Sequence, residues 1–185
     1  MIVSQEREFK APETMTPGEL GDHLARLVWE SFSDFMTEPS KANLLDRLGL
    51  LDESGVPVER ADDEALIFLL WAHTRGIQQA YRARGRSDLA RAALDTLHSA
   101  VFEDLVANGM NESEMPLFEQ RVSARYATYG QAAEVSDQAV GASVVASLTG
   151  DVKAGSEGAE ELAAWAIAVT RPLSDFYTEV DLVEG

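Results

Sequence analysis

The chain has 185 residues and a mass of 20.2 kDa, with 15 Lys and Arg against 32 Asp and Glu, a formal charge of −17. So acidic a chain repels nucleic-acid phosphates and anionic membrane surfaces. Without Cys it has no disulfide, thiolate nucleophile, zinc finger or iron–sulfur cluster. A hydrophobic content of 45% beside 25% charged residues suits one folded domain.

The first segment, MIVSQEREFKAPETM, lacks a basic stretch followed by an apolar one, so no secretory signal is expected. The longest apolar run, Ala65 to Ala72, is eight residues, where a bilayer crossing needs about 20. The expectation is a soluble cytoplasmic protein with no membrane or nucleic-acid partner and no cofactor. Residues 1–15 read as an extended arm, 16–178 as one helical domain and 179–185 as an acidic tail.

Thr16-Pro17-Gly18-Glu19 is a helix start, with Thr as cap, Pro at the first position and Glu three residues beyond the cap. Leu20, Leu24, Leu27, Val28, Phe32 and Phe35 follow at threes and fours, which predicts a helix over 17–36. A short helix capped by Ser40 carries Leu44, Leu45 and Leu48 to Gly49. After an acidic loop, a helix over 62–84 carries Asp62, Asp63 and Glu64 where its dipole favours negative charge. Its first turns, Ala65 to Ala72, are apolar all round, the mark of a central helix.

Ser87 opens a helix to Ala107, with Ala90, Leu94, Leu97, Val101 and Leu105 as its stripe. A fifth helix starts near Pro116 and carries Phe118, Val122, Tyr126 and Tyr129. A sixth, over 136–149, is small-sided and suits close backbone approach; Gly150 ends it. The last begins after Ser156 with Leu162, Trp165, Ala166, Val169, Leu173 and Phe176 on one face, and Pro172 predicts a kink or break. Trp29, Trp71 and Trp165 fall on apolar faces and read as core. No alternating run of strand length is present. The predicted fold is all-α, a compact single-domain bundle of six or seven helices with no sheet.

Three His are available for chemistry: His23, His73 and His98. His23 lies near a helix start and reads as solvent-facing. Antiparallel helices joined at Gly85-Arg86 place His73 level with His98, and Asp95 level with Gly76. A second turn near residue 112 brings Tyr126 toward His98 and Tyr129 toward Asp95. His73, Asp95, His98, Tyr126 and Tyr129 are therefore the candidate polar or ligand cluster. Asp95 and His98, at i and i+3, share a face. Such a pair is one element of a di-iron site, but it occurs once, so no metal is assigned. The structural alternative is a hydrogen-bonded tie with Arg91. G-x-S-x-G, HExxH and glycine-rich phosphate loops are absent, so no catalytic residue is assigned.

Between Arg75 and Arg91 lie five Arg and one acid, Asp88. Arg82, Arg84, Arg86 and Arg91 at this hairpin tip are a candidate docking surface for a phosphate, an acidic partner or a second copy. Arg121 and Arg125 flank the tyrosines of the fifth helix, and Arg121 is level with Glu103.

A Trp-bearing apolar helix, an Arg-rich turn, LDTLHSAVFEDLVANGM and an Arg/Tyr-bearing helix resemble, in layout, the helical domain of ubiquinol–cytochrome c chaperones over about residues 66–133. MNESEMPLFEQ stands where that family has a basic, glycine-bearing segment. The resemblance implies an assembly or interaction role. The expected function is thus a non-catalytic all-α protein acting through protein contacts, adaptor-like or assembly-chaperone-like, with a homodimer as one form. The alternative is a helical protein binding a small molecule or metal through the His/Asp/Tyr cluster.

Overall fold

The computed structural model describes residues 13–151 and 157–185. Its helices are α1 (Pro17–Thr37), α2 (Pro39–Arg47), α3 (Glu59–Arg82), α4 (Ser87–Ala107), α5 (Met115–Val135), α6 (Asp137–Thr149) and α7 (Ala159–Thr178). The all-α expectation holds. The expectation of no sheet at all is corrected by one small feature: β1 (Glu13–Met15) and β2 (Val180–Leu182) pair in parallel. Three residues are too few to show a period of two, and the pairing depends on the start of α1 and the end of α7 lying side by side. Residues 1–12 of the arm and the Ser156 start signal lie outside the described residues.

Side-chain caps mark two of the seven helix starts, those of α1 and α6, and Ser40, expected as a cap, lies inside α2, which starts at Pro39. The Thr16 hydroxyl accepts the Glu19 N–H, and the Glu19 carboxylate accepts the Thr16 N–H at 2.8 Å, which holds Glu19 below the usual carboxylate range. Ser136 caps α6 through the Ala139 N–H. Helix α3 starts at Glu59, three residues before the expected position, because Val58 gives no side-chain cap to mark the start. Helix α7 continues through Pro172 without a break.

Helix α3 is the central element, with Ala65 to Ala72 wholly buried. Helix α4 packs chiefly against α1, and α7 against α3 and α6. Two glycines make these contacts close. A Cβ at Gly21 would lie 2.4 Å from Thr96 Cβ and 2.6 Å from the Ala93 carbonyl oxygen. One at Gly141 would lie 1.9 Å from the Ala159 carbonyl oxygen, so the small-sided α6 does admit α7's backbone.

The end of α7 and β2 are tied to the end of α3. The Arg84 guanidinium donates to the Tyr177 carbonyl and, at 2.8 Å, to that of Val180, and it pairs with Asp181. The Tyr81 hydroxyl donates to the Val180 carbonyl at 3.3 Å. The stretch expected as an acidic tail thus carries β2. No helix among the described residues is long and apolar enough to cross a membrane.

Candidate functional site: a groove between the first and last helices

The structure divides the predicted polar cluster. His73 meets Ser31 of α1 and His98 meets Tyr126 of α5, and α4 packs more extensively on α1 than on α3. Sequence register fixes the level of a residue along a helix, but not the direction it faces. Both imidazoles use the same local device. Nδ1 donates to the carbonyl four residues back, Leu69 for His73 at 2.8 Å and Leu94 for His98 at 2.6 Å. That bond fixes the tautomer and leaves each Nε2 as an acceptor.

For His98, Nε2 accepts from the Tyr126 hydroxyl at 2.8 Å, and Tyr126 accepts from the Thr74 hydroxyl at 3.2 Å. His98 and Tyr126 therefore meet as expected, with Thr74 in the place expected for His73. Burial lowers the pKa of His98 and raises that of Tyr126. Asp95 is exposed outside this chain, and Gly76 faces Leu173 of α7 instead of Asp95. Tyr129 is fully buried, edge-on to Phe68 and Trp71, and its hydroxyl has no partner in good hydrogen-bond geometry among the described residues. Among the described residues no group of three or more His, Asp and Glu could hold a metal ion. The Thr74–Tyr126–His98 chain uses its donors and acceptors internally and reads as a core tie.

His73 faces elsewhere, into a groove of about 430 Å³. Helix α3 is its floor, and α1 and α7 are its antiparallel walls. The walls touch at two places. His23 stacks on Phe176 at 5.3 Å between ring centroids, and Phe35 meets Trp165 edge-on at 5.9 Å. Between these brackets Ser31, Ala168 and Pro172 are too small or too short to close the gap. His23, expected to face solvent, is half-buried as one bracket. The α7 stripe is shared out: Leu162 and Ala166 enter the core, Trp165, Val169 and Phe176 line the groove, and Leu173 does both.

The polar atoms of the groove are mostly acceptors. His73, 2% exposed, points Nε2 at the Ser31 hydroxyl, 3.5 Å away. Burial drives its pKa down to about 4, so the ring is neutral at pH 7. Glu30 and Asp34 stand on the α1 rim with no ion-pair partner among the described residues. Pro172 brings no N–H, so the Ala168 carbonyl on the α7 wall loses its ordinary helical donor. Ser31 and His73 resemble a nucleophile and base. However, a base with a pKa near 4 is weak at neutral pH, and both groups sit within helices whose N–H groups are used, leaving no oxyanion site.

A second polar feature escaped the sequence reading. Glu64, 2% exposed, receives two bonds from Arg125, both 2.8 Å, and Arg121 pairs with Asp63 at 2.7 Å, not with Glu103. Of the three acids expected to serve the α3 dipole, Asp62 lies in the first turn as expected, while Asp63 and Glu64 bind α5 to α3. The signal for this was Arg121 and Arg125, one α-helical turn apart on α5, against the adjacent acids Asp63 and Glu64 of α3.

The Arg tip is also divided. Arg84 is drawn into the β2 clasp, while Arg82, Arg86 and Arg91 remain exposed with no ion pair among the described residues. Comparison of the chain with protein-family models, with curated proteins and with solved structures finds no match. The layout likeness to ubiquinol–cytochrome c chaperones is therefore not carried by any family model.

Proposed function

We propose that the protein is a non-catalytic interaction module that docks a basic amphipathic helix of a partner protein in the α1/α7 groove. One observation carries this reading: an open apolar groove whose polar atoms are mostly acceptors and whose rim carries two carboxylates, Glu30 and Asp34, with no ion-pair partner among the described residues. Apolar side chains of the partner, spaced at i, i+3/i+4 and i+7, would fill the space beside Leu27, Val169 and Leu173. Lys or Arg on its flank would meet the acidic rim, and the −17 field would speed the encounter. The same field opposes nucleic acid as a partner.

The test is a calorimetric titration with a 14-residue Leu/Lys amphipathic peptide and its Leu/Glu twin. Ala168→Trp, a substitution at an exposed position, fills the groove without changing the charge. The Lys peptide is expected to bind with a Kd on the order of 10 µM and to weaken at least about tenfold against Ala168→Trp, while the Glu twin does not bind. Equal binding to wild type and Ala168→Trp would mean that charge alone attracts the peptide, and would refute the docking site. Sedimentation of the free protein covers the remaining occupant: a dimer abolished by Ala168→Trp would place a second copy in the groove and overturn the separate partner.

A further inference from the structure

We propose a second site, independent of the groove: the α3–α4 tip binds the phosphoryl group of a small phosphorylated molecule between Arg82 and Arg91. In a chain with more than two acids per base, six of the eleven described arginines find a carboxylate or a carbonyl. Arg47, Arg75, Arg84, Arg121 and Arg125 all engage carboxylates. Arg82, Arg86 and Arg91 engage none among the described residues, although nothing but a short turn separates them.

Two of these three converge. Arg82, on the last turn of α3, and Arg91, in the second turn of α4, line one concave pocket of about 190 Å³ with Gln78 and Ser87. Every polar side chain in that wall can donate a hydrogen bond, and no carboxylate is among them. Asp88, the one acid of the tip, is exposed and outside the lining. Ala90 and Leu94 form an apolar back wall, which strengthens charge-assisted bonds by excluding water.

The chemistry selects the ligand. Two guanidiniums offer paired N–H donors, which match the oxygens of a phosphoryl dianion. The volume lies below the roughly 300–1,000 Å³ of sites for drug-sized ligands, so the pocket takes a headgroup, not a nucleotide. A nucleic-acid strand would extend across the acidic surface. A single phosphoryl group feels chiefly the local guanidiniums, since charges beyond about 8 Å are screened at physiological salt.

The experiment is an NMR titration of arginine Nε–Hε signals at pH 7.5, with ionic strength held constant by sodium chloride. The probes are glycerol 3-phosphate and inorganic phosphate. Saturable shifts of Arg82 and Arg91, with Arg86 unmoved, are expected for both, with glycerol 3-phosphate the tighter. Arg82→Gln and Arg91→Gln are each expected to weaken binding at least about tenfold, and Arg86→Gln to leave it unchanged. All three positions are exposed, so an unchanged circular dichroism spectrum is expected to accompany each variant. Shifts that grow linearly without saturating, that include Arg86 equally, or that survive both substitutions would overturn the site. Inorganic phosphate binding as tightly as glycerol 3-phosphate would assign the pocket to free phosphate and overturn the phosphorylated molecule.

Discussion

Replacing His73 by Phe tests the floor of the groove through its linkage to pH. His73 is buried under α1 and α7, and its pKa is held near 4 against 6.5 in the unfolded chain. The sign follows from that order. Above pH 6.5 both states are neutral and the site costs nothing. As pH falls from 6.5 toward 4, the unfolded chain takes up a proton that the folded one refuses, so stability is lost over that window. At pH 5 the difference amounts to about 2 kcal/mol, and below pH 4 it levels near 3. Phe keeps the volume and removes the titration. Urea denaturation at pH 7.5 and pH 5.0 is therefore expected to show the wild type losing about 2 kcal/mol more than His73→Phe. His98, Asp62 and Asp63 also have shifted pKa values, but they are common to both proteins and cancel in the difference. The imidazole Cε1–H signal of His73 gives the direct value. Equal acid sensitivity in the two proteins, or a titration midpoint above about 6, would refute the buried neutral imidazole.

Arg125→Met leaves the Glu64 carboxylate buried and unpaired, and is expected to cost about 3–5 kcal/mol in urea denaturation at pH 7. The double variant Glu64→Met/Arg125→Met is expected to recover most of that loss; no recovery would mean that the pair does not act as a unit. Tyr126→Phe strands His98 Nε2 and the Thr74 hydroxyl, with an expected loss of about 1–3 kcal/mol and no change in peptide docking by calorimetry. Gly141→Val drives a side chain into the Ala159 carbonyl, and its thermal midpoint is expected to fall by more than about 5 °C.

The helices were legible because their signals are local. The Thr16–Glu19 box, Ser136 and Gly150 mark ends by chemistry within a few residues, and the apolar run of Ala65 to Ala72 marks the central helix. The site was not legible, because it depends on which faces meet. The register about Gly85-Arg86 set His73 level with His98, but α4 turns toward α1, and Thr74 takes the place beside Tyr126. The groove joins residues of α1 and α7 more than a hundred positions apart, with no hairpin between them to fix a register. The two strands, three residues each, were below the length at which alternation can be seen.

The central claim is that the α1/α7 groove is where this protein meets its partner, and amide chemical-shift mapping with the Leu/Lys peptide tests it most directly. Saturable shifts are expected, concentrated at Leu27, Ser31, Trp165, Ala168 and Val169 and including the Trp165 indole N–H, with Tyr126 and His98 undisturbed. Shifts spread over the acidic surface at large, with the groove residues no more affected than the rest, would contradict that claim.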